Sequence, residues 1–424
     1  MAFSKPKGTY DVMPAESGRW QFVEGIVREV ARVYHMHEIR TPIFETSELF
    51  HRAAGETSDV VSKETYDFKD RGGRSITLRP EGTAGVVRSF IANKLYVKTG
   101  ILKMFYIGEM FRYENPQSGR YRQHMQFGVE AFGCDSPLVD VEIISMACLV
   151  LERLGLDHNV KVKLNSLGSD ESRALYRTAL VAHFDPYKEL MCSDCQIRLK
   201  KNPLRILDCK KDATTLAMKR APAMIDHLIA EDLAYFNTVK AGLDAAGIAY
   251  EYDSNLVRGF DYYTHTIFEV QADIPGFGAQ TTLCGGGRYD KLVEELGGPA
   301  TPGIGFGMGL ERILLAMDAV GNEHEMVRSV DVFFLPMGEA AGMMTVEIMR
   351  QLRRNGVSCE ADFSDRKLKA RFKLVDDALA CYSVVMGDNE VKSREVGVKD
   401  QKTGKQVTVQ VNELIQFVKE NKCS

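Results

Sequence analysis

Glycine occupies every second position from Gly303 to Gly309, as Gly303, Gly305, Gly307 and Gly309. In an extended segment one entire face of the chain then lacks side chains, and something flat can lie there. A strand packed closely beneath a helix would carry the same pattern. The run leads straight into Leu310-Glu311-Arg312, followed by Ile313, Leu314, Met317 and Val320 at helical spacing. Arg312 thus falls in the first turn of a helix, where helix-end donors and a guanidinium favour an anionic phosphate. The pattern lacks the GxxxxGK(S/T) of a P-loop and the strand-GxGxxG-helix order of a dinucleotide fold.

Arg120 to Glu130 carries a second constraint. As a strand it puts His124, Gln126, Gly128 and Glu130 on one face and Met125, Phe127 and Val129 on the other. A structural antiparallel strand would also alternate, but a glycine between an amide and a carboxylate on the polar side points to a floor that a ligand approaches closely. Just upstream, Arg112 and Glu114 alternate with Phe111 and Tyr113. A guanidinium there offers the fork of donors that an α-phosphate needs.

A chain of 424 residues is too long for one ordinary core, so two or three domains are expected. Residues 17–35 have the spacing of an amphipathic helix through Phe22, Ile26, Val27, Val30 and Val33. Glu38 to Glu45 alternates as a strand, with Pro42 marking an edge or an intersubunit contact. Ile76 to Glu130 reads as strand, helix, strand, loop, strand, the last two pairing antiparallel. A helix over 138–154 and a strand over Asn159–Ser166 follow. The sequence then turns charged, helical and cysteine-containing until about residue 240, as an insertion would. Glycine-rich, strand-like sequence resumes from Tyr250 to Gly309. Residues 330–424 have a different rhythm: a strand Val330–Leu335, a helix to Asn355, a strand through Val357 to Ala361, then helix, strand, strand and helix. This predicts a separate small α/β domain. The boundaries expected are 1–326 for the first domain, with an insertion at about 168–240, and 327–424 for the second.

The formal net charge of -4 excludes a generally basic nucleic-acid coat, so any polyanion must meet a local patch. Arg366, Lys367, Lys369, Arg371 and Lys373 form such a run without an acid, although a solvated helix face would look the same. The first twenty residues carry charges without an apolar core, and no apolar span reaches bilayer length. A cytoplasmic protein with reduced thiols and no membrane association is expected. Cys192, Cys195 and Cys209 resemble part of a zinc site, with His227 available as a fourth ligand. The tight second pair of a zinc ribbon is absent, so no metal is assigned.

Together these segments resemble a known family. Phe111-Arg112-Tyr113-Glu114 with the loop to Gln126 is similar to motif 2 of class II aminoacyl-tRNA synthetases, Gly303 to Arg312 to motif 3, and Ile39 to Glu45 to motif 1 with its interface proline. Leu256-Val257-Arg258-Gly259-Phe260-Asp261-Tyr262-Tyr263 and Cys284-Gly285-Gly286-Gly287-Arg288-Tyr289-Asp290 resemble signatures of the histidyl-tRNA synthetases, as does Leu78-Arg79-Pro80-Glu81-Gly82-Thr83. The resemblance implies an α/β (α+β) fold: an antiparallel-sheet class II catalytic domain with a helical insertion, plus a smaller C-terminal α/β anticodon-binding domain. It further implies a homodimer that charges tRNA(His) with L-histidine for protein biosynthesis, using ATP and its accompanying Mg2+.

By the same resemblance Glu81, Thr83 and Gln126 hold the histidine α-amino group and Glu130 and Tyr263 read the two imidazole nitrogens, with Gly82 and Tyr262 also in the histidine-binding set. Arg112, Glu114, Arg120, His124 and Arg312 form the ATP set, with Arg112 on the α-phosphate, Arg120 and Arg312 on the outer phosphates, and His124 where many members stack a phenylalanine under adenine. Arg258 and Arg112 carry the catalytic role, Arg258 reaching both the histidine carboxylate and the α-phosphate. The basic run of residues 366–373 would touch tRNA. One rival is a non-catalytic, histidine-sensing paralogue resembling the regulatory subunit of ATP phosphoribosyltransferase; such paralogues generally lack the C-terminal domain and the arginine at position 258. Another is a prolyl, threonyl or glycyl enzyme, which the Arg258–Tyr263 and Cys284–Asp290 segments oppose.

Overall fold

The computed structural model describes residues 3–54, 64–278, 281–322 and 329–421. The chain divides into two compact units, Met1–His324 and Glu325–Ser424. In the first, the strands are β1 (His37–Glu38), β2 (Phe44–Thr46), β3 (Tyr66–Lys69), β4 (Ser75–Leu78), β5 (Leu102–Phe111), β6 (Gln123–Phe132), β7 (Val160–Ser166), β8 (Tyr250–Tyr252), β9 (Thr264–Ala272), β10 (Thr282–Arg288) and β11 (Gly303–Gly309). Eight of them form one sheet in the order β1-β5-β6-β11-β10-β9-β7-β8. Every pairing is antiparallel except the two outermost, β1 with β5 and β7 with β8.

Alternation along the strands gives the sheet two different faces. Phe105, Phe127, Val129, Phe268, Ile304 and Phe306 point into the main core, covered by helices Pro14–Val33, Pro137–Arg153, Ala230–Ala245 and Leu310–Ala319. Met104, Tyr106, Met110, Phe132 and Ile267 point the other way, into a second core shared with helix Thr83–Ala92 and the tyrosines 262, 263 and 289. The helices begin where the sequence allows: Pro137 follows Ser136, whose hydroxyl accepts from the Leu138 N–H at 3.3 Å.

The segment from Glu38 to Glu45 is not one strand. β1 ends at Glu38, and β2 begins at Phe44 in a separate three-stranded sheet, β2-β4-β3. Pro42 offers no N–H, and the carbonyls of Thr41 and Ile43 instead accept from the Arg79 guanidinium at 3.0 Å and the Arg79 N–H at 2.9 Å. The inserted region builds a small core of its own around Tyr176, Leu180, Phe184, Leu199 and Ile206. It ends earlier than expected, because Phe236, Val239 and Leu243 of helix Ala230–Ala245 belong to the main core.

The second unit contains β12 (Val332–Pro336), β13 (Cys359–Ala361), β14 (Tyr382–Met386), β15 (Glu395–Asp400) and β16 (Gln406–Gln410). They form one sheet in the order β13-β12-β14-β15-β16, parallel through β14 and antiparallel beyond. Helices Glu339–Arg354 and Leu414–Glu420 contribute Met344, Ile348, Leu352, Leu414 and Val418 to its larger core. Three strands follow helix Leu368–Asp377 where two were expected, with a short helix, Asp388–Ser393, between the first pair. Among the described residues no helix is long and apolar enough to cross a membrane.

Candidate active site

A cleft of about 610 Å³ opens over the centre of the large sheet. On β6, His124 and Gln126 line the cleft while Phe127 and Val129 face the main core. Glu81 and Thr83 at the start of helix Thr83–Ala92, Arg258, Tyr262 and Tyr263 from the loop before β9, and Arg112, Glu114, Arg120 and Arg312 complete most of the wall. Residues far apart in sequence thus meet because β5, β6, β9, β10 and β11 are neighbours in one sheet.

The glycines make room for neighbouring side chains. Tyr106 stands opposite Gly128 across the β5–β6 ladder, and a Cβ at Gly128 or Gly82 would overlap its ring. The close approach inferred at Gly128 is therefore made by Tyr106. The stripe on β11 lines the cleft through Gly305, Gly307 and Gly309 and also makes room for side chains: a Cβ at Gly303 would meet the Tyr289 ring, at Gly305 the Glu130 carboxylate, and at Gly307 the Gln126 amide. At Gly309 only the Arg312 side chain comes near, 3.9 Å away. The bare face is a slot that admits buried polar side chains between strands.

Glu130 fills that slot. Only 1% of it is exposed, the Tyr289 hydroxyl donates to one carboxylate oxygen, and Oε1 is buried with no hydrogen-bond partner among the described residues. Burial pushes its carboxyl up to about 8, against the pull of the Tyr289 hydrogen bond. Glu81 is also buried, with its two oxygens accepting from the N–H groups of Thr83 and Ala84 at 2.6 and 2.8 Å. Its carboxyl is pushed up, chiefly by burial. Tyr106 donates to Gln126 Oε1 at 3.4 Å.

The cationic side chains have fixed partners. Arg258 pairs with Glu269, whose other oxygen accepts from Thr282 at 2.8 Å and Gln271 at 2.9 Å. Its guanidinium lies 5.7 Å from the Tyr263 ring centre, and its Nε is buried without a partner among the described residues. Arg112 donates through Nε to the Pro80 carbonyl at 2.8 Å. Arg120 pairs with Glu114 at 3.2 Å. Arg312 donates to the Thr282 carbonyl, and burial followed by the charge of Arg120 lowers its pKa to about 10. His124 is brought down to about 3 by burial and then by Arg112, so its ring is neutral at pH 7.

Comparison with known proteins places this arrangement in a family. The family model for histidyl-tRNA synthetase matches residues 8–313, and that for the anticodon binding domain matches residues 331–421. The chain belongs to the histidyl-tRNA synthetase family. It is 50% identical over 422 residues to the histidine–tRNA ligase of Bacillus subtilis (strain 168) and 51% identical over 420 residues to that of Bacillus velezensis, covering 99% of each chain in both cases. The solved structure of apo Staphylococcus aureus histidyl-tRNA synthetase superimposes with a TM-score of 0.85 at 42% identity, over 99% of this chain and 100% of that one. An ATP phosphoribosyltransferase regulatory subunit/histidyl-tRNA synthetase from Bacillus halodurans shares the fold at 21% identity, with a TM-score of 0.66.

Several cleft residues were not singled out by sequence reasoning. Tyr106 carried one signal, a large aromatic on the strand that pairs with the Gly128 strand. Tyr289 lies within a quoted signature but had no assigned part. Glu269, the partner of Arg258, and Asp208 and Lys210, which reach the cleft from the insertion, had no local signal at all. In the second unit the basic run divides. Arg366, Lys367, Lys369 and Lys373 are exposed, whereas Arg371 is 4% exposed and donates to Asp362 at 3.0 Å and to the Pro336 carbonyl at 2.8 Å. Arg371 is thus chiefly a strut of the fold, its guanidinium held by Asp362 and Pro336.

Proposed function

We propose that the chain activates L-histidine with ATP and transfers it to the 3′ end of tRNA(His), releasing AMP and pyrophosphate. One observation carries this reading: a buried carboxylate, Glu130, keeps an unpartnered oxygen under a cleft walled by Tyr106, Tyr262 and Tyr263. An imidazole N–H supplies the missing donor and its ring fills an aromatic wall, with Tyr263 at the other nitrogen. An aliphatic amino acid would leave Glu130 unpaired, which makes rejection strong without an editing site.

The histidine α-amino group then lies against Glu81, Gly82, Thr83 and Gln126. Its carboxylate attacks the α-phosphate, forming the new O–P bond while pyrophosphate leaves. Two anions approach each other, so the protein contributes position and positive charge, with no covalent enzyme intermediate. Arg258 spans the histidine carboxylate and the α-phosphate, Arg112 holds the same phosphate, and Arg120 and Arg312 hold the outer ones. Neutral His124 stacks under adenine, with Glu114 beside it. The described residues of the cleft offer no group of three metal ligands. Mg2+ accompanying the triphosphate would add to the charge neutralisation that Arg120 and Arg312 supply there. In the second step the terminal adenosine hydroxyl attacks the mixed anhydride and AMP departs. Arg366, Lys367, Lys369 and Lys373 offer a local basic surface for tRNA phosphates. A two-fold homodimer in the cytoplasm is the assembly this reading implies.

Pyrophosphate exchange with each of the twenty amino acids tests the proposal. Exchange with histidine alone is expected; exchange with none, or with another amino acid in preference, would overturn it.

A further inference from the structure

Away from the cleft, the insertion brings Cys192, Cys195, Cys209 and Asp212 together, their sulfur and carboxylate atoms all within 4.8 Å of one another. His227 is elsewhere, against the Tyr176 ring. We propose that these four side chains form a structural zinc site. The spacing is that of two short pairs, Cys192-x2-Cys195 and Cys209-x2-Asp212, so the second pair that seemed absent ends in a carboxylate. Zinc accepts aspartate alongside cysteine.

The distances fit one tetrahedral ion. With zinc–sulfur bonds of about 2.3 Å, the sulfur–sulfur edge of a tetrahedron is about 3.8 Å. Cys192 Sγ and Cys209 Sγ lie 3.7 Å apart, and Cys209 Sγ lies 3.8 Å from Asp212 Oδ2. Three thiols cannot all be paired as disulfides within the cluster. Cys195, Cys209 and Asp212 are 0%, 6% and 7% exposed, and both cysteines belong to the small core of the insertion. The Cys192 N–H donates to Asp212 Oδ2 at 3.2 Å, which fixes the carboxylate beside the sulfurs. Thiolate ligands select a borderline-soft ion over Mg2+ or Ca2+, and four protein ligands close the coordination sphere as in a structural site.

The segment between the two pairs gives the site a purpose. Arg205 donates to the Arg258 and Gly259 carbonyls at 2.8 and 3.1 Å, and Asn202 donates to Asp261 at 3.1 Å. Asp208 lines the cleft from the same segment, followed by Lys210. A metal bonded to Cys195 and Cys209 would clamp this segment at both ends and hold the backbone that presents Arg258. It acts as a positioning element, remote from the reacting atoms.

Metal content of the full chain, purified under reducing conditions, is the test. About one zinc per chain is expected, falling at least tenfold in Cys195→Ser and Cys209→Ser and retained in Cys148→Ser. Replacement of zinc by Co2+ should give the visible and sulfur-to-cobalt absorption of a tetrahedral thiolate site, a readout on the wild-type chain that does not depend on any variant folding. Removing the metal with a chelator should lower the melting temperature and raise the histidine KM. A chain that purifies without metal and, once reduced, takes up neither Zn2+ nor Co2+ would overturn the proposal. So would a wild-type cobalt spectrum left unchanged by Cys195→Ser.

Discussion

Tyr289 donates its phenolic hydroxyl to the carboxylate of Glu130 inside the sheet, with each residue only 1% exposed. Glu130 on β6 and Tyr289, one residue beyond the end of β10, meet there because Gly303 and Gly305 leave room for them. The pair fixes the orientation of the one carboxylate that the histidine reading most depends on.

That carboxyl is held at about 8 instead of the ordinary 4.5. Between those values the folded chain keeps a proton that the unfolded chain has lost, so stability from this group falls as pH rises through that window. An imidazole N–H favours the ionised form, so histidine binding should expel the proton. Histidine affinity, measured by equilibrium dialysis between about pH 7 and 8.5 where the ligand ring stays neutral, should rise and level off above about 8. Glu130→Gln should flatten the profile, and Tyr289→Phe should move its inflection to higher pH. A slope retained in Glu130→Gln would assign the titration to another group.

Arg258→Ala removes the guanidinium assigned to the carboxylate and α-phosphate. Single-turnover adenylate formation should slow by about 10²–10³-fold, the range for loss of one preorganised transition-state donor. Histidine binding without ATP should weaken much less. An unchanged adenylation rate would show that the assigned part belongs elsewhere.

Arg288 and Asp140 form an ion pair in which both side chains are 0% exposed, and Arg288 also donates to the Cys134 carbonyl at 3.0 Å. Asp140→Ala should destabilise the first unit by about 3–5 kcal/mol, since the buried Arg288 loses its fully buried partner and keeps only Asp290, at 3.0 Å, as a carboxylate. Arg288→Met combined with Asp140→Leu should recover much of that loss. Urea unfolding followed in the two variants checks both statements; equal stability of the single and double variants would contradict them.

Arg366, Lys367, Lys369 and Lys373 replaced together by alanine should raise the KM for tRNA and leave pyrophosphate exchange near the wild-type rate. Arg371→Ala should act differently, lowering the stability of the second unit because Asp362 loses its buried partner. If Arg371→Ala instead mimicked the surface variant with no loss of stability, the division of this run into surface and strut would be wrong.

Alternation and punctuation made much of the local structure legible. The polar face His124, Gln126, Glu130, the helix after Gly309 and the separate rhythm beyond residue 330 follow from periods of 2 and 3.6, which depend on neighbours along the chain. What approaches a glycine depends on neighbours across the sheet. The sequence marked Gly128 and the Gly303–Gly309 stripe as places of close approach, and only the tertiary structure decided that Tyr106, Tyr289, Glu130 and Gln126 occupy them. The same holds for Arg371, which shares a basic run with four exposed residues but faces Asp362. It holds too for Asp212, whose place beside three sulfurs requires the start of helix Ser193–Lys201 to meet the segment around Cys209. Periodicity is a property of one segment; partnership requires the fold, because the partners come from separate segments and are set by burial and strand register.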